Sequence, residues 1–69
     1  MLNLTINGEE QQRPPQTVLQ LIIHICNIDP PPLGIAVAIN GMVVRRTDWQ
    51  HTHLSTHDDI EILWASSGG

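Results

Sequence analysis

Three sets of residues in this chain are of a type and spacing that can do chemistry. The sequence closes on "WASSGG", Trp64 to Gly69, where two residues without side chains lead to a backbone carboxylate. Such an end is a frayed terminus, a linker scar, or a carboxylate narrow enough to be threaded into another protein. The single cysteine, Cys26, offers a thiol for nucleophilic or persulfide chemistry. His51, His53 and His57 place three imidazoles within seven residues, and a His-x-His pair can ligate zinc.

The elements that must position these groups narrow the choice. "MLNLTI" alternates, with Leu2, Leu4 and Ile6 on one face and Asn3, Thr5 and Asn7 on the other, as a half-buried strand does. Asn7-Gly8 then supplies the strongest short hairpin signal, because both residues accept positive φ. The chain returns in a short polar strand, roughly Glu10 to Arg13, which Pro14 and Pro15 end. "QTVLQLIIHICNID" changes the period: Thr17 is placed to cap a helix whose apolar stripe is Val18, Leu21, Ile22, Ile25 and Ile28, and "DPPPLG" stops it. Its β-branched residues lower helix propensity, so packing must hold it.

A second hairpin follows. Ile35, Val37 and Ile39 alternate with Ala36 and Ala38, Asn40-Gly41 makes the turn, and Met42 to Arg45 return. The small Ala face leaves room for a close neighbour. "RTDWQ" predicts a single helical turn capped by Thr47 or Asp48 and anchored in the core by Trp49. "DIEILW" is the last strand, with Ile60, Ile62 and Trp64 in phase. Which side of that strand is exposed, and so whether Trp64 is core or interface, is open at this level. Two hairpins flanking one amphipathic helix predict an α+β domain, a mixed sheet of four to five strands with the helix packed across it. Pairing the first and last strands in parallel gives the usual right-handed crossover.

Sixty-nine residues make one domain, and folding at this size buries only about 60% of the surface of the unfolded chain. A formal charge of -4, with three Arg and no Lys, argues against a nucleic-acid partner and suits a basic protein surface. The apolar run Leu21 to Ile23 is broken at once by His24, and no segment approaches the roughly 20 apolar residues of a membrane span. With no cleavable signal pattern and one cysteine that has no internal partner, a reducing cytoplasm is the expectation. Cys26 lies beside the apolar stripe and reads better as a packed residue than as a nucleophile. The histidines stand in a polar loop without a nearby cysteine and read better as solvated side chains than as a zinc site.

The element order is that of the β-grasp, or ubiquitin-like, architecture, and the chain resembles the ThiS family, bacterial sulfur carrier proteins of thiamine biosynthesis. The likeness covers essentially the whole chain. It is carried by "NGE" at Asn7 to Glu9, "TVLQLI" at Thr17 to Ile22, "AVAINGMVVRRTDW" at Ala36 to Trp49, "DDIEI" at Asp58 to Ile62, and the terminal Gly68-Gly69. There are two departures: Arg45-Arg46 replaces the family's common Pro-Arg, and Thr56-His57 stands where an Asp-Gly turn usually precedes the last strand. If that turn keeps positive φ, His57 must carry it.

The resemblance implies a carrier and not an enzyme. A ThiF-like adenylating enzyme would use ATP to convert the Gly69 carboxylate into an acyl-adenylate, and a sulfur donor system would turn it into a thiocarboxylate. A ThiG-like thiazole synthase would then take the sulfur. No permanently bound cofactor, nucleic acid or membrane is implied. The expected organisation is a β-grasp domain over residues 1–65 and a flexible Gly-Gly tail over 66–69, with Ser67, Gly68 and Gly69 as the partner-binding end. The physics fits: glycine has no Cβ and passes a constriction that rejects a side chain, and in-line orientation of the carboxylate supplies much of the rate. Within the carrier class the rival is the small subunit of molybdopterin synthase. A ubiquitin-like modifier and a histidine metal-binding module are the others.

Overall fold

The computed structural model describes residues 1–64; Ala65 and the expected tail, Ser66 to Gly69, lie outside the described residues. Strand β1 (Leu2–Ile6) turns at Asn7-Gly8 into β2 (Glu9–Arg13), helix α1 (Val18–Cys26) crosses to β3 (Ile35–Ile39), and Asn40-Gly41 leads into β4 (Met42–Val44). A 3-10 helix (Arg46–His51) and a loop then deliver β5 (Asp59–Trp64). The sheet order is β2-β1-β5-β3-β4. β5 is therefore central, parallel to β1 (Thr5 opposite Asp59, Ile6 opposite Ile60) and antiparallel to β3 from Ile39–Ile60 to Ile35–Trp64. This is the expected mixed sheet with one helix across it.

Both hairpins form as their Asn-Gly dipeptides predict. Asn7 and Gly8 have φ of 50° and 84°, Asn40 and Gly41 52° and 84°. These positive values match the right-handed twist of the flanking strands, which ordinary turns would splay. The polar β2 and the three-residue β4 form the two edges of the sheet.

Helix α1 starts where Thr17 predicts, and more firmly than a simple cap. The Thr17 hydroxyl accepts from the Gln20 N–H at 3.2 Å, and the Gln20 side chain accepts from the Thr17 N–H at 2.8 Å, so two otherwise orphaned donors are satisfied. The start is also tied to the segment before β5, through Val18 N–H to Thr52 C=O and Leu54 N–H to Gln16 C=O. Val18, Leu21 and Ile22 are buried against Leu4, Ile6, Val37, Ile60 and Ile62, and Ile25 packs at the margin. The stripe does not extend to Ile28. Asn27 enters the left-handed region at φ 57° and donates to Ile23 C=O, closing the helix before the prolines, and Ile28 is exposed.

The segment around Trp49 also differs from expectation. The 3-10 helix begins at Arg46 and runs for six residues, with Arg45 as an extended N-cap whose side chain makes no capping bond. Thr47 and Asp48 are thus inside it and cap nothing. Trp49 is the predicted anchor: its ring is buried and its Nε1–H donates to Val44 C=O at 3.0 Å. Arg46 lies 5.2 Å above that ring while its guanidinium donates to the carbonyls of Pro31 and Pro32, holding the proline loop against the 3-10 helix.

The loop before β5 makes the turn Ser55 to Asp58. His57 takes φ 72°, the strained conformation that the missing glycine would have accepted freely. His57 N–H donates to Asn3 C=O, and the Thr56 hydroxyl accepts from Asn3 N–H, so the turn is stapled to the start of β1.

Candidate functional site

The residues expected to bear the chemistry, Ser67, Gly68 and Gly69, lie outside the described residues, so the site is approached through the strand that leads to them. β5 is bonded on both sides over its first part and on the β3 side as far as Trp64. Ile60 and Ile62 are buried beneath α1, which fixes the face of the strand. The strand therefore ends at Trp64 beside β3, its face set by the core and its direction by β3 along its length and by β1 over its first part.

Its last two residues present opposite surfaces. Leu63 lies on the face away from α1, opposite Ala36, and is 64% exposed. In register around it stand Ala38 between Glu61 and Val43, with Val43 also exposed. Around Leu63 this face carries small and apolar side chains, with the carboxylates of Glu61 and Asp59 in phase along the same strand, and the alanines leave room for another surface to come close to the backbone. Trp64 is in phase with Ile60 and Ile62 but reaches past the cover of the helix, and is 53% exposed. Together with Arg13, His24 and Ile25 it borders a groove between α1 and the ends of β1 and β2. The undecided tryptophan is thus a rim residue, because α1 ends too early to bury it.

The other candidates are not assembled into a site. Cys26 closes α1 and packs at the edge of the core, half-buried. His51, His53 and His57 are exposed, and among the described residues no group of three or more His, Cys, Asp or Glu could hold a metal ion. Among those residues the buried side chains are all apolar. The polar side chains with the most specific contacts are Asn7 and Asn40, which sequence reasoning treated only as turn residues.

Comparison with known proteins is consistent with this layout. The crystal structure of a thiamine biosynthesis protein (ThiS) from Geobacter metallireducens is similar at a TM-score of 0.77 and 25% identity, covering 99% of this chain and 100% of that one. No curated protein matches. The model of the ThiS family matches residues 4–69, a span that takes in every strand from Leu4 onward, the helix and the Gly-Gly end. On that match the chain belongs to the ThiS family.

Proposed function

We propose that the chain is the sulfur carrier of thiazole formation in thiamine biosynthesis, a protein co-substrate and not itself an enzyme. The observation that carries this reading is that the family match runs through Gly68 and Gly69, the continuation of a central strand held on both sides. A ThiF-like adenylating enzyme attaches AMP to the Gly69 carboxylate, with loss of pyrophosphate from ATP. A sulfur nucleophile from the donor system then forms the C–S bond as the C–O bond to AMP breaks. A ThiG-like thiazole synthase consumes the thiocarboxylate, and the carboxylate is restored.

The division of labour follows from physical cost. Ordering a backbone residue costs about 1 to 2 kcal/mol, so threading Ser66 to Gly69 into a partner must be offset elsewhere. The open face around Ala36, Ala38, Val43 and Leu63 supplies apolar area for that purpose, and Glu61 sets a charge for a basic partner to meet. ATP belongs to the activating partner. No helix among the described residues is long and apolar enough to cross a membrane, and the reading places the protein in the cytoplasm.

The test is intact-mass measurement after incubation with the adenylating partner, ATP and a sulfur source. The expected result is replacement of one terminal oxygen by sulfur in the full chain. Deleting Gly69 should abolish that shift and leave the thermal midpoint unchanged. An unmodified full chain with an active cognate partner would overturn the reading.

A further inference from the structure

We propose that Asn7 is a positioning residue for the reactive end, acting through a side-chain carboxamide that takes the place of a missing strand beside Ile62. This rests on the sulfur-carrier reading and adds to it a specific part of the fold that aims the tail. In the parallel β1/β5 pairing, Thr5 N–H donates to Asp58 C=O at 3.0 Å and Asn7 N–H donates to Ile60 C=O at 2.9 Å. The same two-residue repeat would next bring the Asn7 C=O to Ile62 N–H, and the N–H of residue 9 to Ile62 C=O. The chain cannot provide either, because Asn7 turns away at φ 50° to begin the hairpin.

The carboxamide of Asn7 fills both vacancies. Its Oδ1 accepts from Ile62 N–H at 2.7 Å, and its Nδ2 donates to Ile62 C=O at 3.2 Å. A side-chain amide has the donor and acceptor of a peptide group, so it continues the ladder one further rung without any further strand. On the β3 side β5 is paired to Trp64, whereas beyond Ile60 its β1 side is held through Asn7.

The consequence lies downstream. Gly69 is seven residues beyond Ile62, a reach of up to roughly 23 Å if extended. The tail is threaded into a partner from the point where β5 ends, so loosening that origin spreads the carboxylate away from the in-line geometry on which orientation depends, and misplacement by about 1 Å can cost around a hundredfold in rate. Asn40 provides the internal control. It occupies the same kind of turn but ties the opposite end of β5, accepting from Asp59 N–H at 2.9 Å.

The experiment compares Asn7→Gly, Asn40→Gly and Asn7→Asp in the full chain. Glycine keeps either turn, since it accepts positive φ, and removes only the carboxamide. Hydrogen exchange at the Ile62 amide reports the tie, and ATP–pyrophosphate exchange with the adenylating partner, at varied carrier concentration, reports delivery. For Asn7→Gly the Ile62 amide should exchange about tenfold faster. Its turnover at saturating carrier should fall about tenfold, with KM within about twofold of the wild type. Asn40→Gly should lower the thermal midpoint comparably and leave turnover within about twofold, a split that a merely stabilising role would not produce. Asn7→Asp keeps an acceptor for Ile62 N–H but sets a carboxylate oxygen against Ile62 C=O, so the tie is not restored and turnover should stay below that of the wild type. Wild-type turnover in Asn7→Gly, or an equal loss in Asn40→Gly, overturns the proposal alone. A wild-type chain that does not react with its active partner overturns the sulfur-carrier reading and this proposal together.

Discussion

The two Asn-Gly turns have the same dipeptide and nearly the same backbone, with φ pairs of 50° and 84° against 52° and 84°, yet they serve opposite ends of one strand. Asn40 sits where β5 begins. Its side chain accepts from Asp59 N–H and donates to the Asp58 carboxylate, whose other oxygen accepts from Ser55 N–H. The entry end is thus a network of side chains around a turn. Asn7 sits where β5 heads out of the sheet, and its side chain bonds both backbone groups of Ile62. The dipeptide determines the local conformation, whereas the role of the asparagine side chain is determined by which part of the sheet lies beside it. One end of β5 is locked into a loop, and the other is steered.

The comparison can be broken most severely from the middle. Ile60 is fully buried between the two ties, and Ile60→Ala should cost about 3 kcal/mol in chemical denaturation by removing buried area and leaving a cavity. Exchange protection at Asp59 and at Ile62 should then fall together, because neither tie survives loss of the strand they share. A next smaller effect separates backbone from side chain. Asn7→Ala and Asn40→Ala should each lose about 2 kcal/mol, combining left-handed strain on alanine with lost hydrogen bonds. If glycine at either position restored all of that loss, the carboxamides would contribute nothing, and the contrast drawn between the turns would collapse. The smallest effect concerns the entry end alone. His57→Gly relieves the strain at φ 72° and should raise stability by about 0.5 kcal/mol after the extra chain entropy of glycine. Thermal melts would read this gain, and turnover with the adenylating partner should not change.

Much of this architecture could be read in the residues themselves. Alternation in "LNLTI", "IAVAI" and "DIEILW", the Asn-Gly turns and the Thr17 cap each reflect local physics, so strands, turns and helix start fell within a residue of expectation, β2 starting at Glu9 and β4 stopping at Val44 because Arg45 caps the 3-10 helix. The misses were of two kinds. Asn27 ended α1 by taking a left-handed conformation before any proline, leaving Ile28 outside and Trp64 at a rim, and the 3-10 helix started ahead of the residues expected to cap it. These are boundaries, decided by competition between nearly equal local choices. The tie between Asn7 and Ile62 is of another kind, since it joins residues 55 positions apart and exists only once β1 and β5 pair in one register. Side-chain type alone signals a turn there and nothing more. For the proposed reactive end, Gly68 and Gly69 stand out in the sequence, and the proposal draws on the family match that spans them and not on described geometry.

The edges of the sheet bear on how such a protein behaves in a crowded solution. β2 presents Glu9, Glu10, Gln11, Gln12 and Arg13 before two prolines, and β4 is three residues long before Arg45 and Arg46. A charged edge and a very short edge are both poor templates for another strand. Copies of the chain are therefore discouraged from zipping together side by side, even at high concentration and even with exposed Met42 and Val43 at one edge. On the proposed sulfur-carrier reading, in which the molecule passes repeatedly between other proteins, these edges keep it from being consumed by encounters with itself.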